Sequence, residues 1–157
     1  VGFSPQNQLQ KELNEVLEKK HTRVINETLI SGPGIENMFE AILKLNGKKV
    51  YSMQSEDIFT NINNCEFASQ SVDLFFEIFG QVAGDFALSI GAFDGILLTG
   101  DLINNHLDLL KSSKFSKGFI NKNDYSELMM SVPTGVIRLS DMGLNGLLKL
   151  YKREIES

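Results

Sequence analysis

The chain has 157 residues, 42% of them hydrophobic and 22% charged, and a formal net charge of −5. That is enough for a single domain over residues 1–157 with a real core, and too little for two. Lysines and arginines are scattered rather than clustered beside aromatics, which argues against a nucleic-acid partner.

The opening VGFSPQN has neither an initiator Met nor a charged-then-apolar leader, and reads as an artificial boundary or a cleavage product. From Gln8 to about Lys20, Leu9, Leu13, Val16 and Leu17 form one apolar stripe on a charged helix. RVINETLIS, Arg23 to Ser31, is β-rich and predicts a short strand. A Gly-Pro-Gly turn then leads into an amphipathic helix marked by Ile35, Met38, Phe39, Ile42 and Leu43, ending near Asn46-Gly47. Ser55 before EDIF has the character of an N-cap with acids in the first turn, and predicts a short helix to Asn63.

From Glu66 to Ile90 apolar residues surround the helical axis, which predicts a long buried central helix. Within it Gly80, Ala83, Gly84 and Ala87 leave room for another backbone to approach. DGILLTGD, Asp94 to Asp101, holds a continuous apolar run and predicts a strand buried on both faces, the pattern of a parallel sheet. A helix over Asn104 to Lys111 follows. SKFSKGFINKNDY reads as a polar, mobile loop, Tyr125 to Met130 as helix, Gly135 to Leu139 as a second buried strand, and Leu144 to Ile155 as a last helix striped by Leu144, Leu147, Leu148, Tyr151 and Ile155. The order gives an α/β layer structure, with short parallel-type strands packed by the long helix and by amphipathic helices. No apolar run is long enough to span a bilayer, so no membrane partner is expected.

Few enzyme signatures are present. HExxH, CxxC, GxSxG and GxxxxGK[ST] are all missing. Cys65, the single cysteine, excludes an internal disulfide framework, fits a reducing compartment and reads as an inert residue near a helix start. His21 and His106 lack carboxylate or thiol partners at ligand spacing and read as solvent-exposed. What remains is a set of glycine turns at element junctions: SGPG (Ser31 to Gly34), GAFDG (Gly91 to Gly95), TGD (Thr99 to Asp101) and DMGLNG (Asp141 to Gly146). The last two follow strands, where an open parallel sheet receives ligands and where helix starts favour anions. Each turn alone also suits ordinary chain reversal, and Glu36 and Asp101 would repel an anion bound beside them.

Taken in order, GFSP, NETLISGPGIENMF, FGQVAGDFALSIGAFDGILLTGDL, SKFSKGF, VPTGVIRL and MGLNGLLKL resemble the C-terminal part of bacterial-type glucokinases, across nearly the whole chain. The resemblance implies the C-terminal portion of the large, ribonuclease H-like lobe of the hexokinase and actin-like ATPase fold. It implies transfer of phosphate from ATP, with Mg2+, to the 6-hydroxyl of glucose in the cytoplasm. Glu27, in NETLISGPG, stands where that family has a sugar-contacting glutamate. Gly32, Gly34, Gly95, Gly100 and Asp101 stand where it has adenosine-side contacts. The chain departs from the family pattern at Asp85, Asp101, Asn104-Asn105 and Lys122 to Tyr125, and Asp101 adds charge where nucleotide would approach. The family's phosphate loops, catalytic aspartate and Glu-Gly-Gly-His sugar motif all precede the region matched. No catalytic residue is therefore expected in this chain, which alone should not turn over. A missing N-terminal lobe is expected as partner, and apolar surface left bare by it could drive self-association. Two alternatives stay open: a non-catalytic sugar- or nucleotide-binding regulator on the same fold, and a kinase for another hexose or an acylated amino-sugar.

Overall fold

The computed structural model describes residues 1–138, 146–149 and 151. Its longest element is the one the sequence marks most strongly, a 25-residue helix, α4 (Glu66–Ile90). Ala68, Val72, Phe75, Phe76, Ile78 and Val82 are all buried, as expected for a helix apolar on nearly every side. The burial does not last to the end: Phe86 and Ile90, in the last two turns, stand exposed.

On one side of α4 pack α2 (Gly32–Leu45) and α3 (Ser55–Thr60), and α1 (Gln8–Glu18) packs on α2. Asn7 caps α1 by accepting from the Gln10 amide at 2.9 Å, and Leu13 and Leu17 are its buried stripe. α2 buries Ile35, Met38, Phe39, Ile42 and Leu43. α3 sends Phe59 edge-on against Phe75 and Phe76 of α4, with ring centroids 5.8 and 6.1 Å apart. Ser55 is the first helical residue of α3 and Gln54 holds the cap position, so the expected Ser55 cap is not formed. The helix stops at Thr60 rather than Asn63.

On the other side of α4 packs α7 (Phe115–Ile120), in the segment expected to be a mobile loop. Its physical basis is backbone proximity. A Cβ at Gly80 or Gly84 would run into the carbonyls of Phe115 and Phe119, and one at Gly118 into the carbonyl of Glu77. The small residues of α4 thus do admit another backbone, and Phe115 and Phe119 bury their rings beside it. Lys122, just past α7, reaches back so that its Nζ lies 2.9 Å from Asp85 Oδ1 and donates to the Gln81 carbonyl at 3.0 Å.

The remaining elements are short. β1 (Ile96–Leu98) pairs in parallel with β2 (Thr134–Val136), with Ile96 opposite Thr134 and Leu98 opposite Val136. Between them run α5 (Asp101–Asn105), α6 (Leu107–Ser112), α7 and α8 (Ser126–Ser131). The strands are not buried on both faces: Leu98 is covered while Leu97 is 69% exposed. The single helix expected over Asn104 to Lys111 is broken at His106 into α5 and α6. The predicted strand at Arg23 to Ser31 is instead one antiparallel bridge, Ile25 with Gly2, followed by a 3₁₀ turn at Asn26–Thr28. The expected second strand begins one residue earlier and ends at Val136; Leu139 and most of the DMGLNG turn lie outside the described residues. Residues 146–149 and 151 of the predicted last helix are helical, with Leu147, Leu148 and Tyr151 exposed. The result is a mixed, helix-rich α/β structure with a small parallel sheet. Among the described residues no helix is long and apolar enough to cross a membrane.

Candidate functional site

The SGPG segment is the first turn of α2 and not a loop between elements. Ser31 holds the N-cap position with extended backbone, and its Oγ accepts from the Gly34 amide at 3.0 Å. The same Oγ donates to the Glu27 carbonyl at 2.8 Å. One hydroxyl therefore fastens the 3₁₀ turn carrying Glu27 to the start of the helix. Glu27 itself is exposed, and its carboxylate makes no ion pair among the described residues. Gly34 is buried, and a Cβ there would collide with the backbone of Leu29, so packing alone requires glycine. Gly32 is more open, with Ser55 Oγ 3.7 Å from where its Cβ would be.

Glu36 does not face the helix start as a repelling charge. Its Oε1 accepts from the Ser55 amide at 2.9 Å and so serves as the cap that α3 lacks from its own sequence. α3 then continues to Glu56, whose Oε2 lies 3.3 Å from His106 Nε2. The His106 ring stacks on Phe59 with centroids 4.0 Å apart and planes 15° from parallel. Its side chain is only 10% exposed, contrary to the solvent-exposed reading of the sequence. His21 also departs from that reading, since its Nε2 is buried without a hydrogen-bond partner among the described residues.

The nominated glycines divide between two ends of the sheet. Gly100, with φ near 130°, is the residue before α5, and Asp101 is exposed in the first turn of that five-residue helix. Both lie past the C-terminal end of β1, where α/β sheets receive ligands. Gly95, with φ near 137°, precedes β1 at the opposite end and packs against Pro133. A three-residue strand of about 10 Å separates it from Gly100. The α5–α6 joint at His106 and the corner at Gly32–Gly34 both meet the first turn of α3, through Glu56 and Ser55 respectively. Gly95 takes no part in that connection.

Beside α5 and α6 the surface is concave. An open cleft of about 440 Å³ runs from Leu98, Thr134 and Val136 of the sheet to Leu107 and Lys111 of α6, with Arg138 at its rim. A polar depression of about 330 Å³ shares Lys111 and Arg138 and adds Asn104, Asn105 and His106. The Asn104 Oδ1 in its wall is buried without a hydrogen-bond partner among the described residues. The two cations suit an anionic group, whereas the orphan amide oxygen calls for a hydrogen-bond donor, so the surface fits a polar ligand carrying both. Asn104, Lys111 and Arg138 were not singled out from the sequence as site residues. The only signal was Asn104-Asn105 departing from a family pattern.

The glucokinase family model matches residues 1–154. The glucokinase of Xanthomonas euvesicatoria pv. vesicatoria (strain 85-10) is 36% identical over 147 residues, which cover 93% of this chain and 44% of that protein. The glucokinase of Stenotrophomonas maltophilia (strain K279a) is 35% identical, with the same coverage of 93% and 44%. The chain thus spans less than half the length of these curated relatives. The crystal structure of a glucokinase from an Antarctic psychrotroph matches with a TM-score of 0.84 and 27% identity, over 90% of this chain and 44% of that one. A glucokinase from Balamuthia mandrillaris, solved in complex with glucose, shares the fold at a TM-score of 0.63 and 20% identity, over 88% of this chain and 42% of that one. With the family match running across nearly all of its residues, the chain belongs to the glucokinase family.

Proposed function

We propose that this chain supplies one wall of a cleft in which glucose is phosphorylated by ATP. In this reading residues 1–157 are one domain, the C-terminal portion of the large lobe of an actin-like ATPase fold working in the cytoplasm. Glu27 accepts hydrogen bonds from sugar hydroxyls, at the strength that an ionised acceptor gives. The observation that carries this is the corner itself: an exposed carboxylate, without an ion pair among the described residues, on a turn pinned by Ser31 to the helix behind it. Positioning of that kind is the larger part of what phosphoryl transfer asks of a protein.

The nucleotide lies past β1, along the Gly100–Asp101 turn and the cleft rimmed by Lys111 and Arg138. Asp101 projects into solvent and opposes anion binding only at the turn, whereas the two cations lie in the concave surface beyond it. Gly32 and Gly34 act by letting α2 begin close to α3 and Leu29, and Gly95 acts through the packing of β1 on Pro133. No group of three or more His, Cys, Asp or Glu able to hold a metal ion occurs among the described residues. The Mg2+ of the reaction would arrive with ATP, bound mainly by its phosphates and by water. The resemblance puts the base and the phosphate loops in the family's other portion, and in this reading the 157 residues do not turn over by themselves.

The test is a chimera in which residues 1–154 replace the matching part of the Xanthomonas euvesicatoria glucokinase. ATP-dependent glucose phosphorylation by the chimera, and none by the chain alone, is the expected outcome. A folded chimera that binds nucleotide without turning over glucose would favour the non-catalytic regulator. Turnover with another hexose and not with glucose would reassign the substrate.

A further inference from the structure

Three features around α3 converge on His106, to which the proposed reaction assigns no role. His106 breaks the helix between α5 and α6, its ring lies flat on Phe59, and its Nε2 faces Glu56. Phe59 is buried and fixed in turn by Phe75 and Phe76, so the imidazole rests on the aromatic core and not on a mobile surface. The first residue of α3, Ser55, is held by Glu36 of α2 through its amide and lies beside Gly32. α3 thus meets the Glu27 corner through Ser55 and the α5–α6 joint through Glu56 and Phe59.

We propose that His106 is a positioning residue, whose stack on Phe59 and contact with Glu56 clasp the α5–α6 joint to α3 and so couple the turn at Gly100–Asp101 to the corner that carries Glu27. Its meaning as coupling between a nucleotide arm and a sugar arm rests on the function proposed above; the mechanical coupling does not. The geometry alone carries the clasp: the ring lies flat on Phe59 and its Nε2 is 3.3 Å from Glu56 Oε2.

Hydrogen exchange on the 157-residue chain, without ligand, reads the coupling directly. In His106→Ala, amide exchange should rise roughly three- to tenfold in residues 99–112 and also in residues 26–36, the loss expected for one aromatic stack and its ion pair. His106→Phe retains the stack and should restore most of that protection. Glu56→Gln, which removes the carboxylate facing Nε2, should loosen the same two stretches to a smaller extent. Exchange that rises only in residues 99–112 of a folded variant, or a His106→Phe no better protected than His106→Ala, overturns the proposal. If His106→Ala does not fold, the other two variants decide it by the same criteria. Glucose failing to protect residues 26–28 of the active chimera would count against the proposed function alone, since the exchange result needs no substrate.

Discussion

The seam between α4 and α7 and the pairing of β1 with β2 both bring backbones close together, but their surroundings differ. At the seam Gly80, Gly84 and Gly118 let carbonyls of each helix approach the glycines of the other, and Phe115 and Phe119 are buried beside the contact. In the sheet only Leu98 is well covered, while Leu97 and nearby Phe93 and Ile90 are exposed, Ile90 by 76%. Parallel strands normally lie covered on both faces. The seam is therefore a finished part of the core, and the sheet is stabilised chiefly from one side. Substitutions should hurt in proportion to that difference.

The largest effect is expected at the seam. Helix propensity alone says that Gly80→Ala should stabilise α4 by about 1 kcal/mol. The carbonyl of Phe115 occupies the space a methyl would need, so we expect a net loss of about 2–3 kcal/mol, measured as a lower urea midpoint. A stabilised Gly80→Ala would mean that the two helices are not in backbone contact.

Lys122→Met comes next. The lysine is only 7% exposed and serves Asp85 and the Gln81 carbonyl, so removing its charge leaves both without their donor. A cost of about 1–2 kcal/mol is expected, below that of a fully buried pair because Asp85 is half exposed. Double-mutant cycles with Asp85→Asn would isolate the pair.

A smaller effect belongs to Glu40, whose carboxyl is held below the usual glutamate range by hydrogen bonds from Lys20 and Ser52, burial opposing them in part. A depressed folded value means that the stabilisation is complete above the ordinary glutamate range and is lost as pH falls through the folded value. Glu40→Gln should therefore cost about 0.5 kcal/mol at neutral pH and nothing once wild-type Glu40 is protonated, a difference visible in urea midpoints across the acid limb. The smallest effect is expected on the sheet's bare face, where Leu97→Ser should change stability by no more than about 0.5 kcal/mol. A loss comparable to that at Gly80 would erase the contrast between seam and sheet.

Much of the seam was legible in the sequence on one side only. The run from Glu66 to Ile90 gives a helix with the observed bounds, and its small residues announce a close neighbour. The neighbour was missed because Phe115, Gly118 and Phe119 sit among lysines and serines, in a helix too short to show a stripe. At the site, the corner was found and its form mistaken: NETLIS reads as strand by composition, but Ser31 and Thr28 hydroxyls bond nearby backbone and stabilise a turn. His106 could not be read from local pattern at all, since its burial comes from Phe59 in a different helix. Lys111 and Arg138 meet only because β2 returns beside β1, a pairing that no neighbouring residue encodes.

The proposed sugar site depends on Glu27, and the most direct measurement is steady-state kinetics of the chimera with Glu27→Gln. Replacing a charged acceptor by a neutral amide of the same shape should lower kcat/KM for glucose by roughly 10- to 100-fold, the loss of one or more charge-assisted hydrogen bonds, and leave the KM for ATP nearly unchanged. A folded Glu27→Gln chimera with unaltered kcat/KM for glucose would show that this carboxylate does not hold the sugar.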